Sequence, residues 1–101
     1  MSDYRIFEAN EFLSQLAELT KGDREFISKK LASYVHPQLR VEPHYGPNIK
    51  KLWDYMPETW RYRIGKYRVF YLIHDADRMV FILTLDLRKD AYRQVIKGIK
   101  Y

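Results

Sequence analysis

The sequence predicts an α+β fold in which one strand and a helical hairpin precede an antiparallel β-meander. Two observations support this class. Apolar residues recur at helical spacing between residues 10 and 35, and they alternate with polar residues from residue 60 onward. With 101 residues, of which 47% are hydrophobic and 16% aromatic, the chain can bury a single core. We therefore treat residues 1–101 as one domain.

The first third of the chain is expected to form a strand and two antiparallel helices. Tyr4 to Glu8 is the candidate strand, and Asn10 is a possible N-cap of the first helix. The apolar stripe of that helix is Phe12, Leu13, Leu16 and Leu19. Asp23 can cap a second helix, which would bury Phe26, Ile27, Leu31, Tyr34 and Val35. Pro37 should end it, because the residue before a proline is disfavoured in the α region.

A polar loop is predicted from residue 36 to about residue 48, where three prolines and a glycine cluster. The segment from Ile49 to Tyr55 fits either a helical turn or a strand, and the sequence leaves both open.

The segment WRYRIGKYRVFY, residues 60–71, predicts a β-hairpin with a two-residue turn at Gly65-Lys66. That turn sets Arg63 opposite Arg68 and Ile64 opposite Tyr67. The expected core face carries Trp60, Tyr62, Ile64, Tyr67, Val69 and Tyr71. The other face carries Arg61, Arg63, Arg68, Phe70 and Leu72. Two arginines directly opposite each other repel unless an anion binds between them, which suggests a phosphate ligand.

A further strand is expected at about residues 78–87, followed by a short helix over residues 89–101 that Gly98 weakens. The bulkier alternate residues of the strand should face the helices: Met79, Phe81, Leu83, Leu85 and Leu87. The other set, Val80, Ile82, Thr84 and Asp86, should share the arginine face, with Arg88 in phase. This face is too apolar to be left simply in water, so a binding partner is expected there.

Composition narrows the function classes. No cysteine is present, so disulfides and thiolate metal sites are excluded, and the three histidines have no metal-ligand spacing. We predict no cofactor and no metal. The first ten residues do not resemble a signal peptide, and no apolar run is long enough for a bilayer, so we expect a cytoplasmic protein that does not interact with membranes. Residues 1–48 carry a net charge of −1 and residues 49–101 a net charge of +6, which favours nucleic acid or an acidic protein as partner.

The β-α-α-β-β-β order, together with IKKLWDYMPETWRYRIGKYRVFYLI and LTLDLRKDAY, resembles the RelE/ParE superfamily of type II toxin–antitoxin modules. The resemblance implies a RelE-like fold and a cognate antitoxin. We favour the RelE branch, which implies a ribosome-dependent endoribonuclease that cuts mRNA in the decoding site. The alternatives are a ParE-like inhibitor of gyrase without nuclease activity, and an inactive relic that binds antitoxin or RNA. We expect the toxin without its antitoxin to be monomeric.

The resemblance also implies the site residues. The catalytic set carried over by position is Arg61, Arg63, Arg68, Arg88 and Tyr92. To these we add four RNA-binding lysines: Lys50, Lys51, Lys66 and Lys89. Arginine forks match phosphate oxygens bidentately, and Tyr92 would stack on a base or orient the attacking nucleotide. The general base is left open between Lys66, Tyr92 and an electrostatic mechanism without a strong base.

Overall fold

The computed structural model describes residues 3–87, which form a five-stranded sheet with helices packed on one face. The strands are β1 (Arg5–Glu8), β2 (Ile49–Leu52), β3 (Thr59–Ile64), β4 (Tyr67–His74) and β5 (Met79–Leu87). Their order is β1-β5-β4-β3-β2, with β1 parallel to β5 and every other pair antiparallel. The α+β class is confirmed, and the predicted meander is widened by β2 on one side and β1 on the other. The predicted helix over residues 89–101 lies outside the described residues.

The helical layer begins with α1 (Asn10–Ala17) and continues with one long helix. That helix consists of α2 (Lys21–Lys30), a π-helical segment (Leu31–Val35) and α3 (His36–Val41). The expected stop at Pro37 is wrong. In the π segment the His36 N–H bonds to the Leu31 carbonyl five residues back, so Pro37 falls in the first turn of α3. The π segment lies just before this proline, which has no N–H to continue the helical hydrogen bonds. No helix in residues 3–87 is long and apolar enough to cross a bilayer.

The two helix caps differ from those expected. Ala9, in extended conformation, precedes α1, so Asn10 is the first helical residue and not the cap. Thr20 caps α2, because its hydroxyl accepts a hydrogen bond from the Asp23 N–H at 3.3 Å. Asp23 lies in the first turn, where its negative charge interacts favourably with the helix dipole.

The long helix buries a stripe of residues four apart: Ile27, Leu31, Val35 and Leu39. These pack against the inner face of the sheet, which is the face that the helices cover. Phe26 and Tyr34 were expected in this core, but they are 45% and 59% exposed. Each precedes a stripe residue by one position, so it lies at the flank of the helix and not beneath it.

The hairpin has the predicted register. Arg63 lies opposite Arg68 and Ile64 opposite Tyr67, and Gly65 takes a φ of +58° at the first turn position. The inner-face residues of the hairpin are buried as expected, with Trp60 partly buried at the margin: Tyr62, Ile64, Tyr67, Val69 and Tyr71.

The predicted facing of β5 is wrong in its first half. Phe70 lies opposite Thr84 but Tyr71 lies opposite Ile82, so Leu83 is an extra residue in a β-bulge. The bulge shifts the alternation by one position. Val80 and Ile82 are therefore buried in the core, whereas Leu85, beyond the bulge, faces the helices as expected.

Candidate functional site

The outer face of the sheet, opposite the helices, carries two cross-strand pairs of like charge. Lys50 lies opposite Arg61, and Arg63 lies opposite Arg68. The pairs adjoin along β3, so four cations occupy three neighbouring strands. Like charges directly opposite each other destabilise a sheet. The arrangement therefore favours a bound anion.

Asn48 holds both arginines of β3 from the edge of the sheet. Its backbone carbonyl accepts hydrogen bonds from the Arg63 backbone N–H at 3.0 Å and from Arg61 Nη1 at 3.1 Å. Asn48 has a φ of +72°, a left-handed conformation that asparagine tolerates better than most residues. These carbonyl contacts orient the Arg61 guanidinium without neutralising its charge.

Arg68 is only 6% exposed. It sits on the central strand, β4, between Arg63 on β3 and Asp86 on β5. Asp86 is the one acidic side chain that the described strands place on the outer face. Arg68 is thus a buried cation that lies next to an acidic residue. Arg63, in contrast, is exposed to solvent.

An apolar patch lies next to the cations on the outer face. Phe70, directly opposite Arg61, is 1% exposed and forms a small second core with Leu52, against which Tyr55 packs. Such a floor excludes water from one side of the cations, which strengthens their interaction with an anion.

Two other predicted lysines, Lys51 and Lys66, point elsewhere. The Lys51 ammonium bonds to Glu58 at 3.1 Å and lies 4.8 Å from the Trp53 ring centroid, on the opposite face from Lys50. Lys66, at the hairpin turn, pairs with Asp23 of α2 at 3.6 Å. Of the nine predicted site residues, four share the outer face. Arg88, Lys89 and Tyr92 lie outside the described residues.

Asp23 also anchors a tyrosine of the hairpin. The Tyr67 hydroxyl donates to Asp23 at 2.6 Å, and this bond, with burial, raises the pKa of Tyr67 to about 12. The same bond lowers the pKa of Asp23. Tyr67 therefore stays protonated at neutral pH and cannot act as a general base there.

A second group of titratable residues lies on the helix side, and sequence reasoning missed it. His44 bonds to Glu42 at 2.8 Å and to Asp75 at 3.1 Å, and Tyr4 donates to Asp75 at 2.6 Å. Burial alone would lower the pKa of His44, but its bonds to the two carboxylates outweigh this and raise it. The group ties the loop after α3 to the turn between β4 and β5. No cluster within residues 3–87 has enough ligands to hold a metal ion.

A family model described as the ParE toxin of the type II toxin–antitoxin system parDE matches residues 8–92. The chain belongs to this toxin family. The superfamily resemblance inferred from the sequence is confirmed. No curated protein matches the toxin significantly.

Solved structures of RelE toxins share the fold of this toxin. RelE in a RelE–RelB complex from Pyrococcus horikoshii is 25% identical, with a TM-score of 0.65 over 85% of this chain and 96% of that one. The toxin–antitoxin complex RelBE2 from Mycobacterium tuberculosis gives 23% identity and a TM-score of 0.65 over 85% and 99% of the two chains. A mutant of the Escherichia coli toxin RelE in the free state is 22% identical, with a TM-score of 0.63 over 98% of this chain and 99% of that one.

Proposed function

We propose that this toxin is a ribosome-dependent endoribonuclease that cuts mRNA and so inhibits translation. The observation that carries the proposal is the register of the outer face, which sets Lys50 opposite Arg61 and Arg63 opposite Arg68. A phosphate of the RNA backbone is the anion that would relieve both repulsions. The likeness to the Pyrococcus horikoshii RelE, at 25% identity over nearly all of that chain, supports the RelE-type activity.

In the proposed reaction, the 2′-hydroxyl of the RNA attacks the adjacent phosphorus. A P–O2′ bond forms as the P–O5′ bond breaks, leaving a 2′,3′-cyclic phosphate on one fragment and a 5′-hydroxyl on the other. The attacking hydroxyl loses a proton and the leaving oxygen gains one. Arg61 and Arg63 would donate to the non-bridging oxygens, where negative charge accumulates in the transition state. Arg88 and Tyr92 keep the roles that the resemblance implies, as parts of this proposal.

The general base is proposed to be dispensable. The contact of Lys66 with Asp23 at 3.6 Å holds that ammonium at the helix side of the hairpin turn. Arginine, with a pKa above about 12, does not accept a proton at neutral pH. Both points favour transition-state stabilisation by fixed cations over proton abstraction by a strong base.

We also propose a cognate antitoxin as partner, with an acidic or mixed segment that covers the outer face. The net charge of +5 and the cations of that face supply the electrostatic complementarity. The M. tuberculosis relative forms a toxin–antitoxin complex and the P. horikoshii relative a RelE–RelB complex, which supports this partner.

The second candidate function is inhibition of gyrase without nuclease activity. The matching family model describes ParE toxins, which favours this alternative. Under it, the outer face would be a protein-binding surface, and its arginines would not need to contact one phosphate.

An in-vitro translation assay with mapping of mRNA 5′ ends separates the two candidates. We compare the wild type with Arg61→Gln/Arg63→Gln, and use Arg5→Gln as a control, since Arg5 lies on β1 opposite the uncharged Met79. Arg68 is avoided because it is buried and its loss would perturb packing.

We expect new mRNA ends on translated message with the wild type and with the Arg5→Gln control. The double variant should produce none. Intact message together with loss of gyrase supercoiling activity would establish the alternative.

A further inference from the structure

A groove of about 670 Å³ lies between the long helix and the turn end of the hairpin. Its principal lining residues are Phe26, Lys30, Tyr34, Gln38, Asn48 and Arg63. This volume falls within the range of about 300–1,000 Å³ that is typical of ligand sites. Arg63 is shared with the outer-face pairs, because β2 begins only opposite Tyr62 and leaves the end of β3 uncovered. The groove is therefore continuous with the proposed phosphate site.

Two exposed aromatic rings flank a lysine in this groove. Phe26 and Tyr34 are eight residues apart on one helix, which is about 12 Å. The Lys30 ammonium lies between them, 5.8 Å from the Phe26 ring centroid and 4.8 Å from that of Tyr34. Lys29 lines the outer end of the same surface. Aromatic faces interleaved with cations are typical of proteins that bind single-stranded nucleic acid.

Hydrogen bonds fix the floor of the groove. Gln38 donates to the Pro47 carbonyl at 2.9 Å and accepts from the Tyr62 hydroxyl at 2.6 Å. The ring of Phe26 packs over Gly65, where an added Cβ would lie 3.3 Å from the ring. The site is thus held in shape by the helix, the loop before β2 and the hairpin turn.

Resting on the proposed function, we propose that this groove binds a nucleobase of the single-stranded RNA next to the scissile phosphate. The base would stack on Tyr34, the more exposed of the two rings, while Lys30 contacts a backbone phosphate and Arg63 contacts the phosphate at the outer face. None of the residues that line the groove in the described part of the chain is acidic, and the charged ones, Lys29, Lys30 and Arg63, are all cations, which suits a polyanion. Each nucleotide offers both a π face and a negative charge, which matches this spacing of rings and cations.

A short oligoribonucleotide carrying 2-aminopurine tests the groove without the ribosome. Fluorescence quenching reports stacking, and anisotropy reports affinity for the purified chain. We expect Tyr34→Leu to weaken binding by about 5- to 150-fold and to abolish the quenching. Lys30→Gln should lower the slope of log K against log salt by about 0.7, the value for one phosphate contact on a single strand.

Two variants outside the groove serve as matched controls. Tyr45→Leu removes another exposed tyrosine, and Lys21→Gln removes an exposed lysine at the far end of α2, about 13 Å along the helix from Lys30. Both should bind the oligoribonucleotide as the wild type does. Circular dichroism checks that every variant is folded.

The outcomes separate this inference from the proposed function. Unchanged binding and quenching in Tyr34→Leu overturn the groove assignment, even if Arg63-dependent cleavage of message is observed. Loss of stacking in Tyr34→Leu supports the groove, even if the wild type leaves message intact and the nuclease proposal fails. The inference would also be overturned if the wild type bound poly-L-glutamate more tightly than the oligoribonucleotide and Lys30→Gln lost that binding. The groove would then be assigned to an acidic protein segment.

Discussion

Replacing Arg63 with glutamine is expected to stabilise the fold while removing activity. Arg63 lies directly opposite Arg68 and is exposed, and within residues 3–87 its side chain makes one long hydrogen bond, 3.5 Å from Nε to the Gly65 carbonyl. Cross-strand pairs contribute about 0.2–1 kcal/mol, so relief of a repulsive pair should raise the free energy of unfolding by the same order. For a domain of this size, that is a rise of about 1–8 °C in Tm.

The loss of activity should be much larger than the gain in stability. If Arg63 stabilises developing charge at the phosphate, its removal should cost about 100- to 1,000-fold in the rate of message cleavage, as for other preorganised donors. A variant that is more stable yet nearly inactive identifies a residue retained for function at the expense of the fold.

Urea unfolding at low salt and at about 0.5 M salt, with Arg5→Gln as control, measures the stability effect. The gain from Arg63→Gln should shrink at high salt, because exposed charges are then screened. Arg5→Gln should show no gain, since Met79 opposite it is uncharged. A variant no more stable than the wild type at low salt, or a gain independent of salt, would refute the repulsion argument.

Two further predictions concern the helix side of the sheet. Tyr71→Phe should lower the free energy of unfolding by about 1–3 kcal/mol, because it leaves the buried Pro43 carbonyl without the 2.7 Å bond from the Tyr71 hydroxyl; an unchanged urea midpoint would contradict this. The pKa of His44 is raised in the fold by its pairing with Glu42 and Asp75. This pairing therefore stabilises the protein fully when the pH is below the unfolded pKa of about 6.5, and the stabilisation is lost as the pH rises through the pKa of His44 in the folded protein. The difference in free energy of unfolding between wild type and His44→Gln should therefore be larger at mildly acidic than at alkaline pH. A difference that is constant across this range would show that His44 does not titrate as described.

The hairpin could be predicted from the sequence because two independent signals agree. The alternation from Trp60 to Tyr71 sets the faces, and Gly65 sets the turn and therefore the register. The core of the cationic site, Arg63 opposite Arg68, follows from that register alone. Lys50 could not be assigned with the same certainty, because its face depends on the pairing of β2, a segment with no turn signal of its own.

The predicted facing of β5 failed for a different reason. Both alternating sets of its first half are apolar, so a residue such as Phe81 is no better suited to the core than Val80. Alternation also cannot reveal an inserted residue, and the bulge at Leu83 exchanges the two sets.

The end of the second helix was predicted wrongly because the local effect of a proline was outweighed by burial of apolar residues along the helix. Pro37 disfavours a helical conformation in the preceding residue, yet burial of Val35 and Leu39 on one stripe favours a continuous helix. The continuous helix prevails, since His36 takes the α conformation, with φ −59° and ψ −49°, although it precedes a proline. The same stripe explains why Phe26 and Tyr34 are exposed, since a pattern of apolar residues does not show which of two adjacent ones lies under the helix.

The parallel pairing of β1 with β5 also affects how the chain folds. Tyr4 reaches Asp75 across 71 positions, and the Ala9 N–H bonds to the Ile82 carbonyl. Among the described strands β1 pairs with β5 alone, so it has no neighbour in the sheet until β5 has been made. Contacts this distant in sequence slow folding. A nascent toxin thus cannot complete its sheet until β5 has been translated.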